Sequence, residues 1–307
     1  MIKYIIKRIL IGCLTLFILA TITFFGVHAM PGDPFQQDNK RMTEAQYEAL
    51  RAKYGLDKPL GEQYVIFLKN ALRGDFGESI TKKGRQVSDI IRTEFLVTAK
   101  LGAVSFVIAM AIGLTLGIIG ALTKKKWVNS LITLVATFGV SVPSFLFAML
   151  AMILFCVSLK WLPVSGLDTP VHFILPATSL ALSNLSMVAR LTRSSLKDEM
   201  HKDYITLARS KGLSETKVTV KHGLKNALLP VITYAGPMFA NSITGSLVIE
   251  SLFTIHGLGK EFTSSITNRD YTLVMGVTVF FGLVIIVMNL VSDILAAVVD
   301  PRIKIDK

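Results

Sequence analysis

Apolar residues along this chain gather into long runs rather than alternate. Six runs have the continuity of membrane helices: 9–30, 97–122, 128–157, 173–189, 228–249 and 272–299. At 1.5 Å rise per residue, about 20 residues cross the ~30 Å hydrocarbon core of a bilayer. The fourth run is the weakest, being short and rich in Ser and Thr. The pattern predicts an all-α, polytopic membrane protein with six transmembrane helices.

Residues 31–96 between the first two runs are too long for a turn and carry helix signals of their own. Thr43 followed by Gln46 is a capping-box pattern opening a helix over 44–53, and Gly55 is placed to end it. Pro59 stands at a second helix start. Tyr64, Phe67, Leu68 and Ala71 then make one apolar face at helical spacing. The organisation expected is a first membrane helix (1–30), a small helical subdomain (31–96), the main membrane domain (97–299) with a basic loop at 190–227, and a tail (300–307). Two roles for the subdomain stay open, a structural cap or a docking surface for an external protein.

Charge orients the runs. Lys3, Lys7 and Arg8 precede the first run, and Lys124, Lys125 and Lys126 join the second to the third. The 190–227 loop holds nine Lys/Arg against four Asp/Glu, and the tail adds Arg302, Lys304 and Lys307. The intervening loops are near neutral. Basic loops stay in the cytoplasm, so both termini are expected there. The overall balance, 33 basic against 21 acidic residues and +12 net, would suggest nucleic acid in a soluble protein. Here the excess is confined to alternate loops, and no nucleic-acid partner is expected. Composition agrees: 51% of residues are hydrophobic and 18% charged, against roughly 25% charged in a soluble domain. A cleaved signal peptide is disfavoured because the first run exceeds the 7–15 residues of a signal core and lacks a cleavage pattern. Cys13 and Cys156 fall at opposite membrane depths, too far apart for a disulfide.

Within the runs, Ala109, Gly113, Gly117 and Ala121 recur every fourth residue, a ridge that lets another helix approach closely. Ser179, Ser183 and Ser186 share one helical face, with Asn184 beside them, and Asn289, Ser292 and Asp293 make another. Such residues turn inward in a bilayer, either as interhelical hydrogen-bond glue or as the lining of a translocation pathway. Catalytic signatures are missing. There is no P-loop, no H-E-x-x-H and no ligand spacing among the five His, so no metal is expected. Ser194-x-x-Lys197 and Ser214-x-x-Lys217 lack the motifs that accompany a catalytic S-x-x-K.

The basic loop is the most informative segment. Tyr204, Leu207 and Ala208 form a short apolar stripe, Gly212 is a helix stop, and a second basic helix starts near Ser214. Such a helix either rests on lipid headgroups or fills a partner's groove. DYITLARSKGL (203–213) and KHGLKNALLP (221–230) closely resemble the coupling loop of the oligopeptide/dipeptide permeases of ABC importers. IIKRIL (5–10), MPGDP (30–34), GLDKPLGEQY (55–64), GDFGES (74–79), SVPSF (141–145), LPVSG (162–166), GSLVIESLF (245–253), GLG (257–259), NRDYTLVMG (268–276) and DPRIK (300–304) extend the resemblance to the B-type subunit over nearly the whole chain.

The resemblance implies a type I ABC importer permease in the cell membrane of a prokaryote, one that forms half of a peptide pathway and pairs with a homologous second permease. Two cytoplasmic ABC ATPases would supply ATP and Mg, this chain binding no cofactor and hydrolysing nothing, and an extracytoplasmic binding protein would deliver the peptide. It also implies that Tyr204, Ala208, Arg209, Gly212 and Leu213 couple to an ATPase. The importer loop pattern is only partly kept. Thr206 and Leu207 depart from it, Ala208 and Gly212 match, and Leu229-Pro230 falls five residues late; His256 stands where the family has Pro. A permease for nickel or another small solute shares the scaffold. A stand-alone transporter would be expected to show internal repeats, which the sequence lacks, and a membrane hydrolase would need a nucleophile–base pair.

Overall fold

The computed structural model describes residues 2–35 and 42–299. The tail cations Arg302, Lys304 and Lys307 and the 300–304 motif lie outside the described residues. The elements in chain order are α1 (Ile2–His28), α2 (Glu44–Lys53), α3 (Leu60–Ala71), α4 (Val87–Leu122), α5 (Lys126–Ser141) and α6 (Ser144–Met152), which runs on as a π turn over Ile153–Ser158. Then come α7 (Pro170–Glu199), α8 (Asp203–Ser210), α9 (Glu215–Lys217), the π turn Val218–Gly223, α10 (Leu224–Ala227), α11 (Leu229–Ile243), α12 (Leu247–Leu252), α13 (Leu258–Thr267) and α14 (Tyr271–Val299). Among the described residues no strand forms; the β pairing is one isolated bridge, Glu78 to Gln86.

Helix occupies all six predicted runs, but the runs differ in kind. Among the described residues four helices are long and apolar enough to cross a bilayer: Tyr4–His28, Val87–Leu122, Pro170–Glu199 and Tyr271–Ile294. The second begins ten residues earlier than the apolar run, at Val87, so the end of the expected subdomain is the start of α4. The fourth extends beyond its run at both ends and carries the first part of the expected basic loop as helix. The third is not one rod. It breaks between Ser141 and Ser144 with a 104° bend, because Pro143 disfavours α geometry at Val142, which is extended at φ −91°, ψ 123°. The fifth stops at Ile243. The chain turns through Thr244 and Gly245, and Ser246 recaps it by accepting the Ile249 N–H at 3.3 Å. At 15 residues α11 is about 22 Å long, short of a full crossing.

Small residues bring the long helices together. A Cβ on Gly113 would lie 2.8 Å from the Leu185 carbonyl oxygen, and one on Gly117 2.8 Å from that of Ala189. This is tighter than side chains tolerate, so α4 and α7 pack backbone to backbone there. Ala109 is fully buried in the same contact, Gly120 meets Arg193, and Ala121 is only half-buried. Gly12 against Ile286 and Gly282 against Leu19 do the same for α1 and α14, and Arg8 pairs with Asp293 at 2.9 Å.

The subdomain sits on one end of this bundle. Thr43 and Gln46 form the capping box, with the Thr43 N–H donating to Gln46 Oε1 at 3.0 Å. Gly55 closes α2 at φ +68°. Tyr47, Leu50, Tyr64 and Phe67 pack on Phe24, Val27 and Tyr271 at the ends of α1 and α14, and Tyr64 shares a 2.7 Å hydrogen bond with Thr21. α4 leads away from this end to the other, where residues 197–227 lie.

Candidate functional site

At the far end of α4 and α7, α8 is a two-turn helix whose sequence builds its own support. Ile205 and Val218 are fully buried and Ala208 nearly so, with Met200, Tyr204 and Leu213 around them. The helix ends in a Schellman turn. The Leu213 N–H donates to the Ala208 carbonyl at 3.4 Å and the Gly212 N–H to that of Arg209 at 2.9 Å, with Gly212 at φ +75°. Leu213 then packs against the core of Ile205, Ala208 and Val218, in keeping with the apolar contact that accompanies this motif. Tyr204 donates to Glu199 and accepts from Asn226 Nδ2 at 3.1 Å. Burial and the Glu199 hydrogen bond raise its phenol above the ordinary 10. Arg209 grips Glu215 with Nε at 2.8 Å and Nη2 at 3.2 Å, which holds the Glu215 carboxyl below its usual range.

The apolar stripe expected to face outward therefore splits. Ala208 and half of Tyr204 face this segment's own core, and Arg209 is turned onto Glu215. Leu207 is the stripe residue left exposed, at 56%. The reason is period: Ile205, Ala208 and the π-turn residue Val218 close a triangle, which places Leu207 on the opposite side. The second basic helix starts after Ser214 as expected, its 215–217 turn giving way at once to the π turn.

The polar residues of the membrane helices split likewise. Ser179 and Ser186 are fully buried with no hydrogen-bond partner for their hydroxyls among the described residues, and Ser186 Oγ fills the space a Cβ on Gly139 would need. Asn184 joins α11, donating to Ser242 Oγ at 3.4 Å and accepting from Tyr234 Oη at 3.3 Å. Ser183 is exposed and Asn289 half-buried. The structure thus separates Ser183 from Ser179 and Ser186, which lie in helix contacts.

Two buried carboxylates at the subdomain end had no role in the sequence reading. Asp270 is fully buried and caps α14 by accepting the Leu273 N–H at 3.1 Å. It also accepts from Ser79 Oγ, Ile80 N, Thr81 N, Thr81 Oγ1 and Thr272 Oγ1, which staples the 77–82 loop to α14. Glu250 on α12 is fully buried too. Gly257 and Gly259 leave room for it, a Cβ at either being blocked by its carboxylate, and the Lys260 N–H donates to Oε2 at 3.1 Å. Burial pushes its carboxyl up to about 7 despite the Lys260 and Gly259 N–H groups and the Thr98 hydroxyl. Its Oε1 has no hydrogen-bond partner among the described residues. The legible signal was a lone carboxylate inside the apolar run LVIESLF, with glycines on both sides. Among the described residues no group of His, Cys, Asp and Glu could hold a metal.

A broken-helix bundle of this kind is the architecture of ABC transporter membrane subunits. The inward-facing methionine ABC transporter MetNI superposes with a TM-score of 0.55 over 69% of this chain and 96% of its own, at 16% identity. An amino acid ABC transporter solved with histidines gives 0.52 over 70% and 95%, at 15% identity. At these identities the likeness establishes the fold. The sequence establishes the family. Residues 113–305 match the binding-protein-dependent transport system inner membrane component, and residues 1–102 match the N-terminal region of such membrane components. The chain belongs to this family of transport permease subunits, which work with other ABC components. It is 41% identical over 307 residues to the dipeptide transport system permease protein DppB of Bacillus subtilis (strain 168), covering 100% of this chain and 99% of that one. It is 40% identical over 307 residues to the oligopeptide transport system permease protein OppB of Escherichia coli (strain K12), covering 99% and 100%. A glutathione transport system permease protein, GsiC of Escherichia coli O1:K1 / APEC, is 40% identical over 305 residues and 99% of both chains.

Proposed function

We propose that this chain is the membrane-spanning permease subunit of an ATP-driven peptide importer, forming half of the translocation pathway. The observation that carries this is the full-length likeness to permeases named for dipeptide, oligopeptide and glutathione transport, ligands that share amide-linked amino acids. A second, homologous permease completes the pathway, and an extracytoplasmic binding protein delivers peptide to it. Two cytoplasmic ATPases bind and hydrolyse ATP with Mg. This chain holds neither.

In this reading α8 is the coupling helix. Its core of Ile205, Ala208 and Val218 makes it a preformed knob, and Leu207 is the apolar group offered to the ATPase groove. Movement of that knob as the ATPases close rocks the long helices between two states. Ser183 and Asn289 remain candidates to line the path, whereas Ser179 and Ser186 fit better as helix-contact residues. The basic loops put both termini and α8 in the cytoplasm and the subdomain outside.

Uptake of labelled di- and tetrapeptides in cells lacking this chain is the direct test. Uptake is expected to disappear and to return with a plasmid copy. Unchanged peptide uptake with lost nickel import would replace the reading with a metal-solute permease. For topology, cysteines at Lys125 and Lys217 are expected to react only from inside and one at Lys58 only from outside; external labelling at Lys217 overturns the orientation.

A further inference from the structure

Between the end of α4 and the coupling segment lies a cavity of about 860 Å³ that the transport reading does not use. Its floor is apolar, with Leu122 and Val220 exposed into it or beside it at 42% and 59%. Its rim is cationic, with Lys124 from the α4–α5 junction and Lys197 from α7, and with His201 next to them. The one carboxylate in the lining, Glu215, is neutralised by the two-pronged Arg209 contact, and Lys124 lies close enough to help lower its pKa. Lys124 and Lys197 form no ion pair among the described residues. Among the described residues the cavity lining therefore carries two lysines beyond the Arg209–Glu215 pair, neither of them in a contact ion pair. It also opens where the apolar run of α4 ends at Leu122 and three lysines follow, which is the level of the headgroups for a helix that spans the bilayer.

We propose that this cavity binds the phosphodiester headgroup of an anionic phospholipid, with Lys124 and Lys197 on the phosphate and the apolar floor along the first acyl carbons. Cationic pockets between helices at the membrane surface recognise such headgroups by this combination of charge and apolar wall. An acidic side chain of a protein partner would satisfy the lysines but would leave Leu122 and Val220 against water, whereas a lipid covers both. The site would join a lipid to the coupling segment through α9 and the π turn. It requires α4 to lie in a bilayer and is independent of what the permease transports.

The test uses the whole transporter in phosphatidylcholine vesicles, with a bimane label on Lys221→Cys beside the cavity and Cys13→Ser to remove the exposed thiol. Dibrominated phosphatidylglycerol is expected to quench the label at a mole fraction about tenfold lower than dibrominated phosphatidylcholine. Lys124→Gln and Lys197→Gln, singly and together, should shrink that preference to within about twofold, while Lys225→Gln, the same charge change outside the cavity, should keep it. Circular dichroism and retained ATPase subunits verify that each variant is folded. Equal quenching by the two lipids, or a preference that survives the double variant, overturns the proposal and leaves the lysines to a protein partner. Millimolar glycerol 3-phosphate should leave the quenching unchanged; displacement by it would assign the cavity to a soluble phosphate ester instead of a lipid.

Discussion

The two ends of this permease are held together by different means. At the subdomain end, Asp270 ties α14 to residues about 190 positions earlier, Lys82 reaches Glu261, and Thr98 of α4 accepts the Leu258 N–H at 2.8 Å. At the α8 end, the proposed coupling end, the contacts of α8 are local. Its core partners lie between Met200 and Val218, and its polar partners between Glu199 and Asn226. One end is stapled across the whole sequence, and the other is a compact unit folded from a single stretch of chain. A unit of that kind can shift as one body without breaking the contacts that define it, which suits the moving part of a transporter better than the stapled end does.

The comparison breaks most readily at Asp270. Asp270→Ala would strand the Ser79 hydroxyl and the Ile80 and Leu273 N–H groups, while Thr81 is exposed and Thr272 Oγ1 keeps the Glu78 carbonyl at 2.8 Å; one lost carboxylate of this kind costs roughly 3–5 kcal/mol. The expected outcome is loss of protease resistance in the 77–82 loop and a large fall in the melting temperature of the purified transporter. A shift of only a degree or two would mean that the staple is decorative and that the two ends are not different in kind.

Glu250 gives a smaller, pH-dependent version. Its carboxyl rises from 4.5 to about 7 on folding, so the folded state binds the proton more tightly than the unfolded chain. The stability this supplies is fully present below pH 4.5 and is lost as pH rises through 7, a swing of about 3 kcal/mol. Glu250→Gln should flatten the stability profile across that window. If wild type and variant show the same slope between pH 5 and pH 8 in thermal unfolding, the carboxyl is not buried as described.

Much of this architecture was legible in the chain, for identifiable reasons. Apolar runs give the long helices because lipid demands them, and Thr43–Gln46 and Gly55 gave the α2 boundaries because caps are local chemistry. Pro143 and the Thr244–Gly245 turn were also visible, yet hydropathy averaged over a window ran across both and made straight spans of the bent third and shortened fifth runs. The 190–199 stretch read as loop because its charges interrupt hydropathy without interrupting helix. Burial inside the coupling segment was out of reach, because it depends on Val218 folding back over Ile205. The lone Glu250 inside the apolar run LVIESLF signalled a buried carboxylate, but its partner Thr98 and the Ser79 partner of Asp270 lie more than a hundred residues away, so what either carboxylate meets was out of reach.

At the coupling end, Ala208 and Leu207 are neighbours with opposite surroundings, and substituting each separates folding from docking. Ala208→Asp puts a carboxylate into the small core beside Ile205 and Val218. The cost should be about 2 kcal/mol, because the charge can swing toward nearby water. That local damage would disorder α8 and release the ATPases. Leu207→Asp should leave stability within about 0.5 kcal/mol, since the site is exposed, and still weaken co-purification of the ATPases and substrate-stimulated hydrolysis. Wild-type coupling in Leu207→Asp would move the docking surface away from this face of α8.

The smallest effect compares like with like across the two ends. Gly55 at φ +68° and Gly212 at φ +75° close α2 and α8 with the same Schellman turn, and a Cβ at either would meet nothing within 4 Å among the described residues. Substitution by Ala therefore acts only through the left-handed backbone, at about 1 kcal/mol in both places. The two variants should melt alike. Their transport should not be alike if α8 is the moving unit: Gly212→Ala loosens the turn that holds Leu213 on Ala208 and should lower peptide-stimulated ATPase activity severalfold, whereas Gly55→Ala, in the stapled end, should leave it near wild type. Equal activity losses in the two variants would show that the coupling end gains nothing from its rigid closure, and the distinction between the ends would then be one of construction only.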